Sequence, residues 1–310
     1  MKALDKGFVP VMLTPFKPNG TVDYPGLTAL TEFYLEAGAK GLFANCLSSE
    51  MFALTPEERL KVTRHVVNIA AQRVPVVATG TFGGAIEQQA DFARAIYETG
   101  VDAVIMITSL MASEDEPDAL LSDRVECLLA LTDAIPMGFY ECPVPYKRIL
   151  SPALLKQFAA TGRIKYHKDT CLDIEQVRAK IAMVEASDFG LYDAYMVHAV
   201  ESLKAGAAGL SCIQGNYFPE LIVWLCEHYQ DVAFQAQVQM LQEFLVRHMD
   251  IMHHGYPAVA KYYLQKRGLP IATMVRGEHG GLTADLKQRI DGFYQECLEL
   301  QDTLGVPMVL

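Results

Sequence analysis

Arg163-Ile164-Lys165-Tyr166-His167-Lys168-Asp169-Thr170 has the pattern of a short strand, with a second lysine, Lys168, where an apolar strand should be running out. A lysine at the inner end of a strand loses water. Desolvation disfavours its ammonium form and lowers its pKa, and a neutral amine is the species that attacks a carbonyl to form a Schiff base. The ordinary alternative is a surface lysine at a strand terminus, since lysine is mostly exposed. The rest of the chain decides between the two.

Working outward, the same alternation appears on both sides. Upstream, residues 136–140 form a fifth strand after a helix over 118–132, and a loop from Thr108 to Pro117 precedes that helix. Apolar runs at 102–107 and 76–79 are separated by a helix over about 86–99 that ends at Gly100. Thr55-Pro56-Glu57-Glu58 opens a helix to about Gln72, with an N-cap residue and a proline in the first turn. Residues 41–45 make the second strand, Tyr24 to Glu36 the first helix, and 8–13 the first strand. Downstream come a helix over 174–185, a weak seventh strand at Phe189–Tyr192, a helix over about 195–205 and an eighth strand at 208–212. Eight strand–helix units in about 230 residues predict a closed (β/α)₈ TIM barrel. An open doubly wound sheet would want a GxGxxG turn, which Gly80-Thr81-Phe82-Gly83 does not match. Helical segments near 218–229, 231–253, 257–267 and 284–303 follow without strands. The first closes the barrel, so the expected division is a barrel over 1–230 and a C-terminal helical extension over 231–310.

Composition excludes several functions. The chain has 310 residues, 51% hydrophobic and 20% charged, with a net charge of −11. Nothing basic is clustered, which disfavours nucleic acid. Seven cysteines, odd in number and without a CxxC pair, fit reduced thiols. Met1–Lys6 carries no apolar signal core and no apolar run could span a bilayer, so the expected location is cytoplasmic, with no membrane partner. His248, His253 and His254 lack the carboxylate spacing of a metal triad, and no metal or other cofactor is expected.

In a barrel of this kind the chemistry sits at the C-terminal ends of the strands. Those ends carry Thr14, Cys46–Glu50, Gly80, Thr108, Tyr140-Glu141, Lys168-Asp169, Asp193 and Ser211-Cys212. Tyr140 and Lys168 are then neighbours, and a phenol beside an imine-forming lysine can shuttle protons. Ser48 and Ser49, with their main-chain N–H groups, offer a seat for a carboxylate, and Ser211 joins them in the expected substrate-binding set. Glu141 adds a negative charge near the site, either against a polyanionic second substrate or as a second base.

The sequence resembles the dihydrodipicolinate synthase / N-acetylneuraminate lyase family of Schiff-base pyruvate aldolases and synthases. The resemblance rests on Gly7–Phe16 with Asn19–Asp23, on Ala78–Thr81, and on Tyr140-Glu141-Cys142-Pro143 in place of Tyr-Asn-x-Pro. It rests further on Lys168 standing 28 residues beyond Tyr140, on Gly206–Asn216 and on Tyr256–Lys261. It implies Lys168 as the nucleophile, Tyr140 as the acid/base, Ser48 and Ser49 around a carboxylate, and a homo-oligomer (dimer or tetramer). Its substrate is a 2-keto acid such as pyruvate, with an aldehyde as a possible second partner. Departures are equally visible. Leu47 replaces the first hydroxyl of the Thr-Thr pair, Ser109–Ala112 replaces Pro-Tyr-Tyr, and Pro145 replaces an arginine. The relay and the second-carboxylate site of the synthases are thus altered, and the sialic acid lyase pattern is absent near Ala194–Val197. A lyase or aldolase acting through an imine on Lys168 leads. The alternatives are a 2-keto-3-deoxy sugar acid dehydratase, dihydrodipicolinate synthase itself, and a non-catalytic keto-acid binder.

Overall fold

A computed structural model describes residues 7–184, 188–277 and 281–309, so the Met1–Lys6 segment lies outside the described residues. Eight strands alternate with helices: β1 (Gly7–Phe8), α1 (Tyr24–Glu36), β2 (Leu42–Ala44), α2 (Pro56–Ala70), β3 (Val76–Thr79), α3 (Ile86–Tyr97) and β4 (Ala103–Ile107). Then come α4 (Thr108–Met111), α5 (Asp118–Leu131), β5 (Met137–Tyr140), α6 (Pro152–Ala159), β6 (Ile164–Asp169), α7 (Ile174–Val184), β7 (Gly190–Asp193), α8 (Ala199–Ala205) and β8 (Gly209–Leu210). All neighbouring strands pair in parallel, in the order β1-β8-β7-β6-β5-β4-β3-β2. A parallel bridge between Val11 and Phe43 joins the two ends and closes the barrel.

The first strand is shorter than its apolar run over 8–13 suggests, because Pro10 has no N–H to continue the ladder. The chain resumes contact with β2 beyond it, where Phe43 N–H donates to Pro10 O at 3.0 Å and Met12 N–H to Phe43 O at 3.1 Å. At the β1–β8 seam the backbones approach closely. A Cβ on Gly209 would lie 1.7 Å from Gly7 O, so only glycine fits there. Helix α2 begins as its sequence predicts, with Thr55 and Glu58 forming a reciprocal capping box ahead of Pro56. Two helices fall inside segments read as connections. The short α4 follows β4 directly, and α6 is capped by Ser151 with Pro152 in its first turn, burying Leu154, Leu155 and Phe158.

Beyond the barrel lie α9 (Pro219–His228), α10 (Gln235–Arg247), α11 (Met249–His253), α12 (Ala258–Lys266) and α13 (Ala284–Leu304). The single helix expected over 231–253 is instead a 3₁₀ turn, α10 and α11. The break falls at His248, whose ring packs 4.4 Å from that of Phe244 and 5.1 Å from that of Phe293 on α13. The extension shares its core with the barrel: the Tyr217 ring, just after β8, meets Tyr263 at 5.3 Å and Phe293 at 6.0 Å. Among the described residues no helix is long and apolar enough to cross a membrane.

Candidate active site

Strand register fixes the centre of the site. In the β5–β6 ladder Tyr140 stands opposite Lys168. Side chains alternate faces along a strand, so Tyr140, Tyr166 and Lys168 point into the barrel while Glu141, His167 and Asp169 point toward the helices. Lys168 is 4% exposed, and its Nζ lies 4.4 Å from the centre of the Tyr140 ring. The Tyr166 ring forms the layer below, stacked on Tyr192 at 4.8 Å and edge-on to Phe43 at 5.8 Å.

Among the described residues, no carboxylate acts on the Lys168 amine. Burial lowers its pKa, and the titratable groups acting on it are the thiols Cys46, Cys142 and Cys212. Burial itself pushes Cys142 up to about 11 and Cys212 up to about 12, so these two stay neutral and supply no counter-charge. The Tyr140 phenol, also raised by burial and by its contact with Cys142, keeps its proton at neutral pH. An amine shifted toward its neutral form thus sits beside a protonated phenol, the pairing that carbonyl addition and loss of water require.

The loop after β2 folds as a 3₁₀ turn over Leu47–Ser49, followed by Glu50 in the left-handed region at φ 56°. Ser48 lies on the cavity wall. Ser49 does not face a substrate. Its hydroxyl donates to Met12 O at 2.6 Å and accepts from Cys46 N–H at 3.0 Å, and its own N–H donates to Cys46 O at 3.0 Å. The free donors at the start of this turn are the N–H groups of Leu47 and Ser48, to which no acceptor is assigned among the described residues. The Ser211 hydroxyl is likewise engaged by protein groups. The side chain points inward, but one layer too deep: its hydroxyl donates to Val9 O at 2.9 Å and accepts from Tyr166 Oη at 2.9 Å.

Glu141 is neither a second base nor a repellent of anions, because its side chain leaves the mouth. Its Oε1 accepts from Lys180 Nζ at 2.7 Å and Leu150 N–H at 2.9 Å, and its Oε2 from Thr170 N–H at 3.0 Å. Lys180 also donates to Asp169 Oδ2 at 2.6 Å, and His167 Nε2 lies 3.4 Å and 3.5 Å from the two carboxylates. Burial opposes the charge on Lys180, but Glu141 and Asp169 outweigh it and raise the pKa. Burial alone would raise Asp169, yet His167 and Lys180 hold its carboxyl well below the usual range. Glu141, His167 and Asp169 place ligand atoms within 4.8 Å of one another, a spacing that suits a cation. The protein provides that cation itself, as the Lys180 ammonium.

A residue with no role assigned from the sequence completes the mouth. Tyr256, between α11 and α12, lies beside Ser48 and accepts from Asn216 Nδ2 at 2.6 Å; Asn216 in turn takes a short hydrogen bond from the Tyr34 hydroxyl. The extension also anchors the Ser48 loop. Lys261 Nζ donates to Glu50 Oε1 at 2.7 Å, and Arg276 N–H to Glu50 Oε2 at 2.6 Å. Above Lys168 and Tyr140 opens a cavity of about 750 Å³.

The family model of the dihydrodipicolinate synthetase family matches residues 5–295. The chain belongs to that family. Within this family of Schiff-base aldolases, a 4-hydroxy-tetrahydrodipicolinate synthase from Methylococcus capsulatus is 27% identical over 85% of this chain and 89% of its own length. YagE of Escherichia coli strain K12, named provisionally as a 2-dehydro-3-deoxy-D-gluconate aldolase, is 28% identical over 74% of this chain and 76% of its own. The crystal structure of YagE in complex with pyruvate superposes with a TM-score of 0.84 at 24% identity, covering 98% of this chain and all of that one, which shows the shared fold.

Proposed function

We propose that the protein is a class I aldolase that holds a 2-keto acid, pyruvate or a close analogue, as an imine on Lys168 and makes or breaks the carbon–carbon bond at its C3. What carries this reading is the Lys168 amine: buried, without a carboxylate acting on it among the described residues, lowered in pKa, and set over the Tyr140 ring at the floor of a cavity.

The Lys168 amine adds to the keto carbon. Tyr140 passes a proton to the carbinolamine oxygen, which leaves as water, and the protonated imine becomes an electron sink. Cleavage of the C3–C4 bond sends its electron pair into that sink as an enamine, while the C4 hydroxyl loses its proton and departs as an aldehyde. Protonation at C3 and hydrolysis then release the keto acid. Condensation is the same path reversed. The Leu47 and Ser48 N–H groups and the Ser48 hydroxyl serve the keto-acid carboxylate, with Tyr256 beside Ser48. Tyr256 belongs to the same chain as Lys168 and Tyr140.

Trapping with borohydride tests the proposal. Reduction in the presence of pyruvate is expected to leave a mass adduct on the peptide that carries Lys168, and Lys168→Ala is expected to lose both adduct and turnover. Absence of an adduct with pyruvate and with longer 2-keto acids would overturn it.

A further inference from the structure

We propose that the second substrate is an apolar aldehyde, aromatic or branched aliphatic, so that the molecule cleaved is a 4-hydroxy-2-keto acid with an apolar substituent on C4. This rests on the imine reading above and specifies what fills the rest of the same cavity.

The walls above the reacting amine come from Leu47, Phe52, Val144, Leu172, Ile213 and Met249. Phe52, Val144 and Leu172 are 40%, 42% and 51% exposed. Single exposed apolar side chains are ordinary on a protein surface, but three converging on the rim of one cavity mark a place where apolar surface is to be covered. A keto acid held as an imine occupies only the floor of about 750 Å³, a volume on the scale of sites for much larger ligands.

Anionic acceptors find no cation there. Among the described residues, the basic side chains nearest the mouth are committed elsewhere. Lys147 Nζ donates to Thr170 O at 2.7 Å, and Arg148 turns outward to Glu116 O and Asp118. Lys261 is bound to Glu50, and Arg276 grips Glu58 through both of its terminal nitrogens, at 2.6 Å and 2.7 Å. A carboxylate or phosphate on the aldehyde would be desolvated without compensation.

Polyhydroxylated acceptors fare little better. Of the polar side chains on the wall, Thr170 donates to Glu141 O at 2.5 Å, Glu50 accepts from Lys261 at 2.7 Å, Asp250 pairs with Arg289 at 3.0 Å and Ser48 serves the keto-acid carboxylate, which leaves the Tyr195 hydroxyl. His253 donates Nδ1–H to Met249 O at 2.7 Å, which leaves Nε2 as an acceptor. That inventory suits the one hydroxyl of an aldol, not the several of a sugar acid. In the cleavage direction the C3–C4 electron pair enters the protonated imine, the C4 hydroxyl gives up its proton, and the apolar aldehyde and the enamine of the keto acid result.

The test is a competition among acceptors. The full-length protein is supplied with pyruvate and, in turn, benzaldehyde, isovaleraldehyde, D-glyceraldehyde and succinic semialdehyde, and the 4-hydroxy-2-keto acids are quantified by mass spectrometry. The first two are expected to exceed the last two in kcat/KM by about 10-fold or more, the scale of discrimination in apolar pockets. Leu172→Arg, which puts a cation on an exposed rim position, is expected to shift the ratio toward succinic semialdehyde. With pyruvate trapping on Lys168 intact, preference for the polar aldehydes, or turnover of none, overturns this proposal alone. Loss of the trap overturns the imine reading and this proposal with it.

Discussion

Two buried lysines, one on β6 and one on α7, flank the same pair of strands, and their surroundings are opposite. Lys168 points into the barrel, where, among the described residues, thiols and phenols face it and no carboxylate does. Lys180 reaches from α7 to the outer face of β5 and β6, where Glu141 and Asp169 clasp it at 2.7 Å and 2.6 Å. One strand step separates the two environments, since Tyr140 and Lys168 face inward while Glu141 and Asp169 face outward. Burial without a counter-charge lowers a lysine pKa and frees its lone pair; burial with two counter-charges raises it and leaves only a structural cation. The outer cluster holds the neighbours of both reacting residues in place, so the ionic group rigidifies what the neutral group uses.

The largest test removes the clasped lysine. Lys180→Met strands two buried carboxylates and is expected to cost about 3–5 kcal/mol of unfolding free energy, read from denaturant melts at neutral pH. Linkage gives the sign with pH. Asp169 is depressed, so its contribution is present above the unfolded value near ~3.9 and is lost as pH falls through its lower native pKa. Lys180 is raised, so its contribution is present below ~10.4 and is lost as pH rises through its higher native value. That alkaline loss is expected to vanish in Lys180→Met.

A second test makes the inner lysine resemble the outer one. Cys212→Asp sets a carboxylate beside Lys168 and is expected to raise the amine pKa, moving the acid limb of the trapping rate upward by about 1 unit or more. An unmoved limb would mean that the missing counter-charge is not what lowers the pKa of this amine. The smallest expected effect belongs to Tyr256→Phe, which removes a single hydroxyl between Ser48 and Asn216. A loss of about 1 kcal/mol, or roughly five-fold, in kcat/KM for the keto acid is expected, with unfolding free energy little changed. An unaltered kcat/KM would make the Ser48–Tyr256 contact incidental.

Much of this was legible in the chain because buried parallel strands are short apolar runs bounded by turns. Val76–Thr79 and Ala103–Ile107 stand out in that way, and the pairing of Tyr140 with Lys168 follows from their places at two adjacent strand ends. Strand parity could also have sent Glu141 outward, since it follows the inward Tyr140 by one residue. Depth is another matter. Ser211 faces inward yet lies in the Tyr166 layer, and the layer a residue occupies depends on the stagger between strands, which no local pattern encodes. The engagement of Ser49 within its own turn was not legible for a related reason: whether a loop hydroxyl faces outward or caps its own turn is decided by the turn type. Tyr256 had no local signal either, because what brings it to Ser48 is the docking of a helix pair remote in sequence.

The tie between Glu50 and Lys261 spans 211 positions. Ring closure over such a length is entropically demanding, and contacts so distant in sequence form late in folding. The β1–β8 seam, which pairs Gly7 with Gly209, is almost as distant in sequence, so closing the barrel and fastening the Ser48 loop face the same entropic demand. Until the C-terminal helices dock, the mouth lacks Tyr256 and the loop lacks its anchor, so a fixed seat for a carboxylate requires the whole chain.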